Sequence, residues 1–238
     1  ATYTPSSSAP AGTDGPKGTN SEVLDNSQKA IANYNIAWLN NTKKQEQKIT
    51  SAGTVDQTDR NFEITLSDGT KQKFVLTKTA NAKSSLTYTV SDKGQITFEG
   101  EGWSINAYNN KNAVDVKIKG KNNIFIGTKE NDKIAVEGDG NTIQANSGDD
   151  MIAVLEGEQN QIYGATGDDL FIGNKDAQKK ILNAENFSEI ADIPLENDET
   201  VTKGVVKLSS SSVEATVYNQ DENQKLKFKD LSEEDVAK

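Results

Sequence analysis

Eight carboxylates and no lysine or arginine lie between Ile134 and Asn174: Glu137, Asp139, Asp149, Asp150, Glu156, Glu158, Asp168 and Asp169. Their spacing is regular. Asp132, Asp150 and Asp169 follow one another at a near-constant interval, and Asn122, Asn141 and Asn160 recur at the same interval, offset by half of it. If that interval is one turn of a coil, the aspartates stack on one edge and the asparagines on the other. Stacking also sets Asp149 over Asp168, Glu137 over Glu156 and Asp139 over Glu158, about 5 Å apart. Like charges placed directly opposite destabilise a ladder. Such side chains either splay into solvent or share a cation. Carboxylate and carbonyl oxygens without nitrogen or sulfur ligands suit Ca²⁺. Neutral amides stack and hydrogen-bond along a ladder with no metal, so the asparagine edge needs none.

The elements that would position these groups are short strands. From Asn112 to Gly173, an Asn or Asp followed two residues later by an apolar residue recurs every nine or ten residues. The pairs are Asn112/Val114, Asn122/Ile124, Asp132/Ile134, Asn141/Ile143, Asp150/Ile152, Asn160/Ile162 and Asp169/Phe171. A second small or apolar residue follows at Val116, Ile126, Val136, Ala145, Val154, Gly164 and Gly173. Alternation puts both sets on one side of a strand. A short fixed period sustained over seven passes is the pattern of a coil stacked on itself. The outward positions then include Phe125, Ala135, Met151, Ala153, Tyr163, Leu170 and Ile172, which is more apolar than a solvated face requires; flanking elements are expected to cover them.

The aspartate edge reads Asn146-Ser147-Gly148-Asp149-Asp150-Met151-Ile152 and Ala165-Thr166-Gly167-Asp168-Asp169-Leu170-Phe171. These segments resemble the RTX, or haemolysin-type, calcium-binding nonapeptide G-G-x-G-x-D-x-U-x, with U apolar. Loop 164–169 keeps Gly164, Gly167 and Asp169. Loop 145–150 keeps Gly148 and Asp150, and loop 127–132 keeps Gly127 and Asp132. The resemblance is confined to roughly 112–173. It implies a β-roll with one Ca²⁺ between loops 127–132 and 145–150 and a second between loops 145–150 and 164–169. The implied ligands are the carboxylates of Asp132, Asp150 and Asp169, with carbonyls of Gly127, Asn146, Gly148, Gly164 and Thr166. Asp149 and Asp168 are expected to face outward.

Composition narrows the rest. The 238 residues carry a net charge of -10, with no His and no Cys. That excludes imidazole and thiol catalysis, zinc sites and disulfides, and argues against nucleic acid and anionic membrane surfaces. No apolar run reaches membrane-spanning length. Only 33% of residues are hydrophobic, which suits the thin core of a solenoid. The outward strand positions hold no acid pair, and Arg60 is the single arginine, so general acid/base or anion-stabilising chemistry has little to work with. The reading leans against an enzyme.

In chain order, residues 1–20 have linker composition, with Ser6-Ser7-Ser8 and three of the four prolines. Residues 21–108 read as an N-terminal cap. A helix is expected from Ser21 to about Gln47, with Leu24, Ile31 and Trp38 on one face. Two hairpins follow, turning at Asp68-Gly69 and Asp92-Lys93-Gly94. The solenoid occupies 109–175. A second cap fills 176–238, with a helical or irregular stretch through Ile181–Pro194, strands over 204–229 and a helix start at the end. With no initiating Met, the chain reads as an excised or mature piece of something longer. The fold expected is mainly β: a short parallel β-solenoid (β-roll or β-helix) of about four coils, capped by β-hairpins and the helix. The expected function is a non-catalytic, calcium-binding structural or adhesive module of a secreted or surface bacterial protein. The resemblance implies type I secretion; a glycan or a host surface protein is the second expected partner. The alternatives are a carbohydrate-active β-helix protein of the lyase or epimerase type and a metal-independent surface or filament domain.

Overall fold

Alternating apolar residues with too little bulk for a thick core fold here into two narrow parallel ladders facing each other. The structure, a computed structural model, describes residues 38, 41–42, 47–174, 178–182, 189–194, 199–201, 204–210, 213–219 and 226–231. Five strands open the chain: β1 (Ile49–Val55), β2 (Asp59–Thr65), β3 (Lys71–Lys78), β4 (Leu86–Ser91) and β5 (Ile96–Glu101). The coil continues with β6 (Trp103–Asn106), β7 (Asp115–Lys121), β8 (Ile124–Ile126), β9 (Lys133–Glu137), β10 (Thr142–Gln144), β11 (Met151–Tyr163) and β12 (Asp169–Asn174). The last six are β13 (Gln178–Leu182), β14 (Glu189–Pro194), β15 (Glu199–Val201), β16 (Gly204–Ser209), β17 (Val213–Asn219) and β18 (Leu226–Leu231).

The first ladder runs β5, β7, β9, the first half of β11, β12 and β18, all parallel. The second runs β6, β8, β10, the second half of β11 and β17, also parallel. The fold is thus a parallel β-solenoid of about four turns, as the period requires. Between the ladders lie Ile96, Val116, Ile134, Ile152 and Phe171 from one side and Ile105, Phe125, Ile143, Ile162 and Val217 from the other, all buried. Each is worth about 1.5–3 kcal/mol relative to exposure. Both ladders switch to antiparallel pairing at both ends. The hairpin β2–β3 joins the second ladder through β6, and β1–β4 joins the first through β5. At the far end β15 lies against β18, and β16, β13 and β14 follow β17.

Three details depart from the sequence pattern. In the β8 pass the inward residues are Asn123 and Phe125, not Asn122 and Ile124; Ile124 is 36% exposed. Asn122 makes the corner at φ +55, which adds one residue before the strand and shifts the alternation. In the β7 pass the inward pair is Val116 and Ile118, and Val114 stands where the next coils have Asp132 and Asp150. The stretch expected to be helical or irregular around Ile181–Pro194 contains β13 and β14 instead; two extended partners, β16 and β14 itself, are there for β13 to pair with.

A glycine column bends the chain between ladders. Gly120, Gly138 and Gly157 have φ +121, +129 and +116, and a Cβ on each would sit 1.9 Å from the carbonyl oxygen of the glycine one coil earlier. Gly157 lets the 13-residue β11 serve both ladders without a break. No side chain fits there, so Gly138→Ala is expected to cost roughly 3 kcal/mol or more in a denaturant melt.

Trp38, Asn41 and Thr42 are helical and Gln47 is not; the remainder of the expected helix, the 1–20 linker and the residues after Leu231 lie outside the described residues. Trp38 covers the outer face of the first ladder, packing with Ala135, Met151, Ala153 and Ile172 in a small second core. Its indole Nε1 donates to Asp115 Oδ1 at 2.8 Å. That explains the apolar outward positions on this ladder.

Candidate metal site at the aspartate corner

Asp132, Asp150 and Asp169 open strands β9, β11 and β12, and parallel pairing in register stacks them on one corner. Each turns its carboxylate inward beneath the loop that precedes it, and all three are buried. The Oδ1 atoms do one job. Asp132 Oδ1 accepts the Val114 N–H at 3.0 Å, Asp150 Oδ1 the Asp132 N–H at 2.8 Å, and Asp169 Oδ1 the Asp150 N–H at 2.9 Å. Each aspartate therefore caps the backbone of the coil before it.

The opposite corner shows the same device with amides. Asn123 Oδ1 accepts the Trp103 N–H at 3.0 Å, Asn141 Oδ1 the Asn123 N–H at 3.0 Å, and Asn160 Oδ1 the Asn141 N–H at 2.9 Å. The second amide atom is used at two of the three: Asn123 Nδ2 donates to Gly100 O and Asn141 Nδ2 to Gly120 O, both at 2.9 Å, while Asn160 Nδ2 is buried without a partner. So the amides bond to backbone rather than to one another. Asn141→Ala would strand a buried N–H and a buried C=O; a loss of about 2–4 kcal/mol in thermal or urea melts is the expected outcome.

A carboxylate has no donor to offer in the Nδ2 position, and here the three aspartates part company. Asp132 Oδ2 accepts the Thr128 N–H at 2.8 Å, while Thr128 Oγ1 donates to Asp132 Oδ1 at 2.7 Å. Asp150 Oδ2 and Asp169 Oδ2 are buried with no hydrogen-bond partner. Burial pushes Asp132 up to about 6, against the hydrogen bonds from Val114 and Thr128. Burial, then the charges of Asp169 and Asp132, pushes Asp150 well above the usual carboxylate range. Burial does the same to Asp169, outweighing its bond from Asp150 N. An ionised pair left in this state is costly.

The loops above explain the difference. Loops 145–150 and 164–169 share one backbone shape, with Asn146 at φ +64 and Ala165 at +59, then Gly148 at +100 and Gly167 at +110. Loop 127–132 has no positive-φ residue, and Thr128 folds back on Asp132. The five residues expected to lend carbonyls, Gly127, Asn146, Gly148, Gly164 and Thr166, all fall on this corner. They are not equally available: Gly127 O already accepts Asn146 Nδ2 at 2.8 Å. Gly148 and Gly167 let the loops stack backbone to backbone, a Cβ on Gly167 falling 2.0 Å from Gly148 O. Among the described residues no three acidic side chains converge. An ion here would take the Asp150 and Asp169 carboxylates and complete its shell with carbonyls and water.

No family model, curated protein or solved structure matches the chain. The site is therefore read from its own chemistry. Oxygen-only donors, two buried unpartnered carboxylate oxygens and glycine-lined loops fit a hard divalent cation between loops 145–150 and 164–169. The fit is weaker between loops 127–132 and 145–150, where both oxygens of Asp132 are occupied.

A second capping row went unread in the sequence. Asn131 Oδ1 accepts the Asp149 N–H at 2.8 Å, and Asp149 Oδ1 accepts the Asp168 N–H at 2.7 Å. Asp149, expected to face outward, is half-buried and part of the stack. The dyads Asn131-Asp132, Asp149-Asp150 and Asp168-Asp169, one coil apart in each case, carried that signal.

Proposed function

We propose that this chain is a non-catalytic, calcium-binding structural or adhesive module of a larger secreted or surface bacterial protein, with Ca²⁺ at the aspartate corner holding its coils together. The observation that carries the reading is the pair of buried, unpartnered oxygens on Asp150 and Asp169, one coil apart. Ca²⁺ would supply the positive charge that lets both carboxylates stay ionised in a low-dielectric corner. The resemblance of loops 145–150 and 164–169 to the haemolysin-type nonapeptide supports the same ion. Asp150 and Asp169 would hold it, and Asn131, Asp149 and Asp168 would keep the two loops in register around it. Folding would then be coupled to metal binding, because the ligands come together only in the stacked coil.

Thermal melts in EDTA and in millimolar Ca²⁺ test this directly. With Ca²⁺ at about 100 times its dissociation constant, a gain of about 2.7 kcal/mol is expected, or about 5–10 °C for a chain of this size. Identical curves would leave the metal-independent scaffold as the reading, with aspartates acting as protonated counterparts of the asparagines opposite.

A further inference from the structure

The two ladders have different outer faces. That of the first ladder carries Asp115, Lys117, Lys133 and Glu137 and is covered in part by Trp38. The second ladder presents ten outward positions on β6, β8, β10, β11 and β17, in register from strand to strand. None of the ten is charged, in a chain of net charge -10; Glu214, the outward residue before Thr216 on β17, pairs with Lys207 at the margin. Asn106, Thr142, Gln144, Gln161 and Thr216 offer hydroxyl and amide groups, and Ile124 and Ile126 form an apolar patch between them. Ile124, Gln144 and Gln161 are exposed. Tyr163 and Tyr218 stack with ring centroids 4.6 Å apart and planes 8° from parallel. Because the pair stacks along the ladder, the other face of Tyr163 is turned towards the Gln144 strand. At the opposite end Asn106 continues into a depression of about 280 Å³ lined by Arg60, Asn61, Lys73 and Asn109.

We infer that this face binds a linear, uncharged polysaccharide lying along the coil axis. The proposal gives the adhesive part of the reading above a site and a ligand class, and it stands apart from calcium at the aspartate corner. Donors and acceptors recur about every 4.7–4.9 Å over a span of about 19 Å, which suits a polymer with hydroxyl groups at a regular repeat. Tyrosine provides an apolar face with a polar tip, the usual partner for a ligand that is itself half apolar. A nucleic acid or acidic polymer meets no cation on the ten positions themselves; Arg60 and Lys73 at one end and Lys207 at the other stand beside Glu63 and Glu214, and the corner loops are acidic. A protein partner would find Ile124, Ile126 and two tyrosines already stacked on each other, with amide and hydroxyl groups between them in place of a continuous apolar core.

The test is affinity electrophoresis of the full chain in gels containing dextran, galactomannan or hydroxyethyl cellulose, with alginate and polygalacturonate alongside, each run in EDTA and in Ca²⁺. Retardation by at least one neutral polymer is expected, in either buffer as long as the protein is folded. Tyr163→Ala and Gln161→Ala should each weaken it by about tenfold or more, and Lys83→Ala, at an exposed residue in the connection between β3 and β4, should not. Gln161 is exposed, so its variant reports binding without a question of folding; circular dichroism melts check Tyr163→Ala. No retardation by any neutral polymer, retardation by the acidic polymers alone, or unchanged affinity in both variants would each overturn the proposal. Capture of a protein through this face with no polysaccharide bound would overturn it too. Loss of the Ca²⁺-dependent melt with polysaccharide binding intact would sink the calcium reading and leave this one standing.

Discussion

Replacing Asp150 and Asp169 by asparagine is expected to raise the melting temperature of the metal-free protein and to abolish its response to Ca²⁺. The amide oxygen keeps the bond that Asp150 Oδ1 now accepts from Asp132 N, and the amide nitrogen is a donor where Oδ2 has no partner. At the asparagine corner Asn123 and Asn141 bond through both atoms and Asn160 through Oδ1 alone, so the coil accommodates a buried amide at this position. Replacing two desolvated carboxyl groups by neutral amides should contribute on the order of 1–3 kcal/mol. The same substitution removes the anionic ligands, so melts in EDTA and in Ca²⁺ should superimpose. Asp150→Ala separates capping from charge. It strands the Asp132 N–H and should destabilise the coil in both buffers by about 1–3 kcal/mol. A D150N/D169N protein that melts lower than the parent in EDTA, or that still gains stability from Ca²⁺, contradicts this account.

The metal-free protein is also expected to lose stability as pH rises above the usual carboxylate range, the reverse of the usual behaviour of carboxylates. Asp132, Asp150 and Asp169 are all raised above the ordinary value of 3.8, Asp132 to about 6. Between that ordinary value and the folded pKa, the folded state holds a proton that the unfolded chain has released. Stability therefore falls as pH climbs through this window. The loss runs from about pH 4 to about pH 6 for Asp132, and the other two add to it in the same direction. For Asp132 alone it comes to about 3 kcal/mol, since one pKa unit is about 1.4 kcal/mol. Urea midpoints in EDTA should peak in mild acid and decline towards pH 8. Saturating Ca²⁺ should flatten the decline at Asp150 and Asp169, because binding there displaces protons. A midpoint that instead rises from pH 5 to pH 8 in EDTA would mean that these carboxylates are not buried as described.

The repeat was legible because each pass has the same physical task. An Asp or Asn at the corner followed by an inward apolar residue announces strand, turn and stacking together, and the near-constant interval between like residues sets the coil length. What slipped was local. Asn122 and Asn123 are adjacent and chemically alike, so pattern cannot say which caps the coil and which turns the corner at φ +55. Val114 fits an apolar pattern but occupies an aspartate's place, where its N–H ends the row of caps by donating to Asp132 Oδ1. The column Gly100, Gly120, Gly138 and Gly157 also keeps the coil spacing, yet glycine carries no hydrophobic signal. The strands β13 and β14 were missed since Ile181, Leu182, Ile190 and Ile193 fit either period over so short a run. Of the candidate site, the three aspartates could be read. The distinction between Asp132 and the other two depends on Thr128, whose role follows from loop shape and not from spacing.

The last pass of the coil bears on the order in which the molecule assembles. From β7 to β12, residues that pair are a single turn of chain apart: Val116 with Ile134, Ile134 with Ile152 and Ile152 with Phe171. The final pairs, Asn160 with Ala215 and Phe171 with Phe228, are much further apart in the chain. Closing a loop about three times as long costs about 1 kcal/mol more in chain entropy than closing a single turn. The intervening strands shorten that search by pairing antiparallel in the order β14, β13, β16, with β17 joining at the β16 edge. Folding should thus proceed in two stages: a fast zippering of turns from Trp103 to Asn174, followed by a slower closure as β17 and β18 seat on β11 and β12.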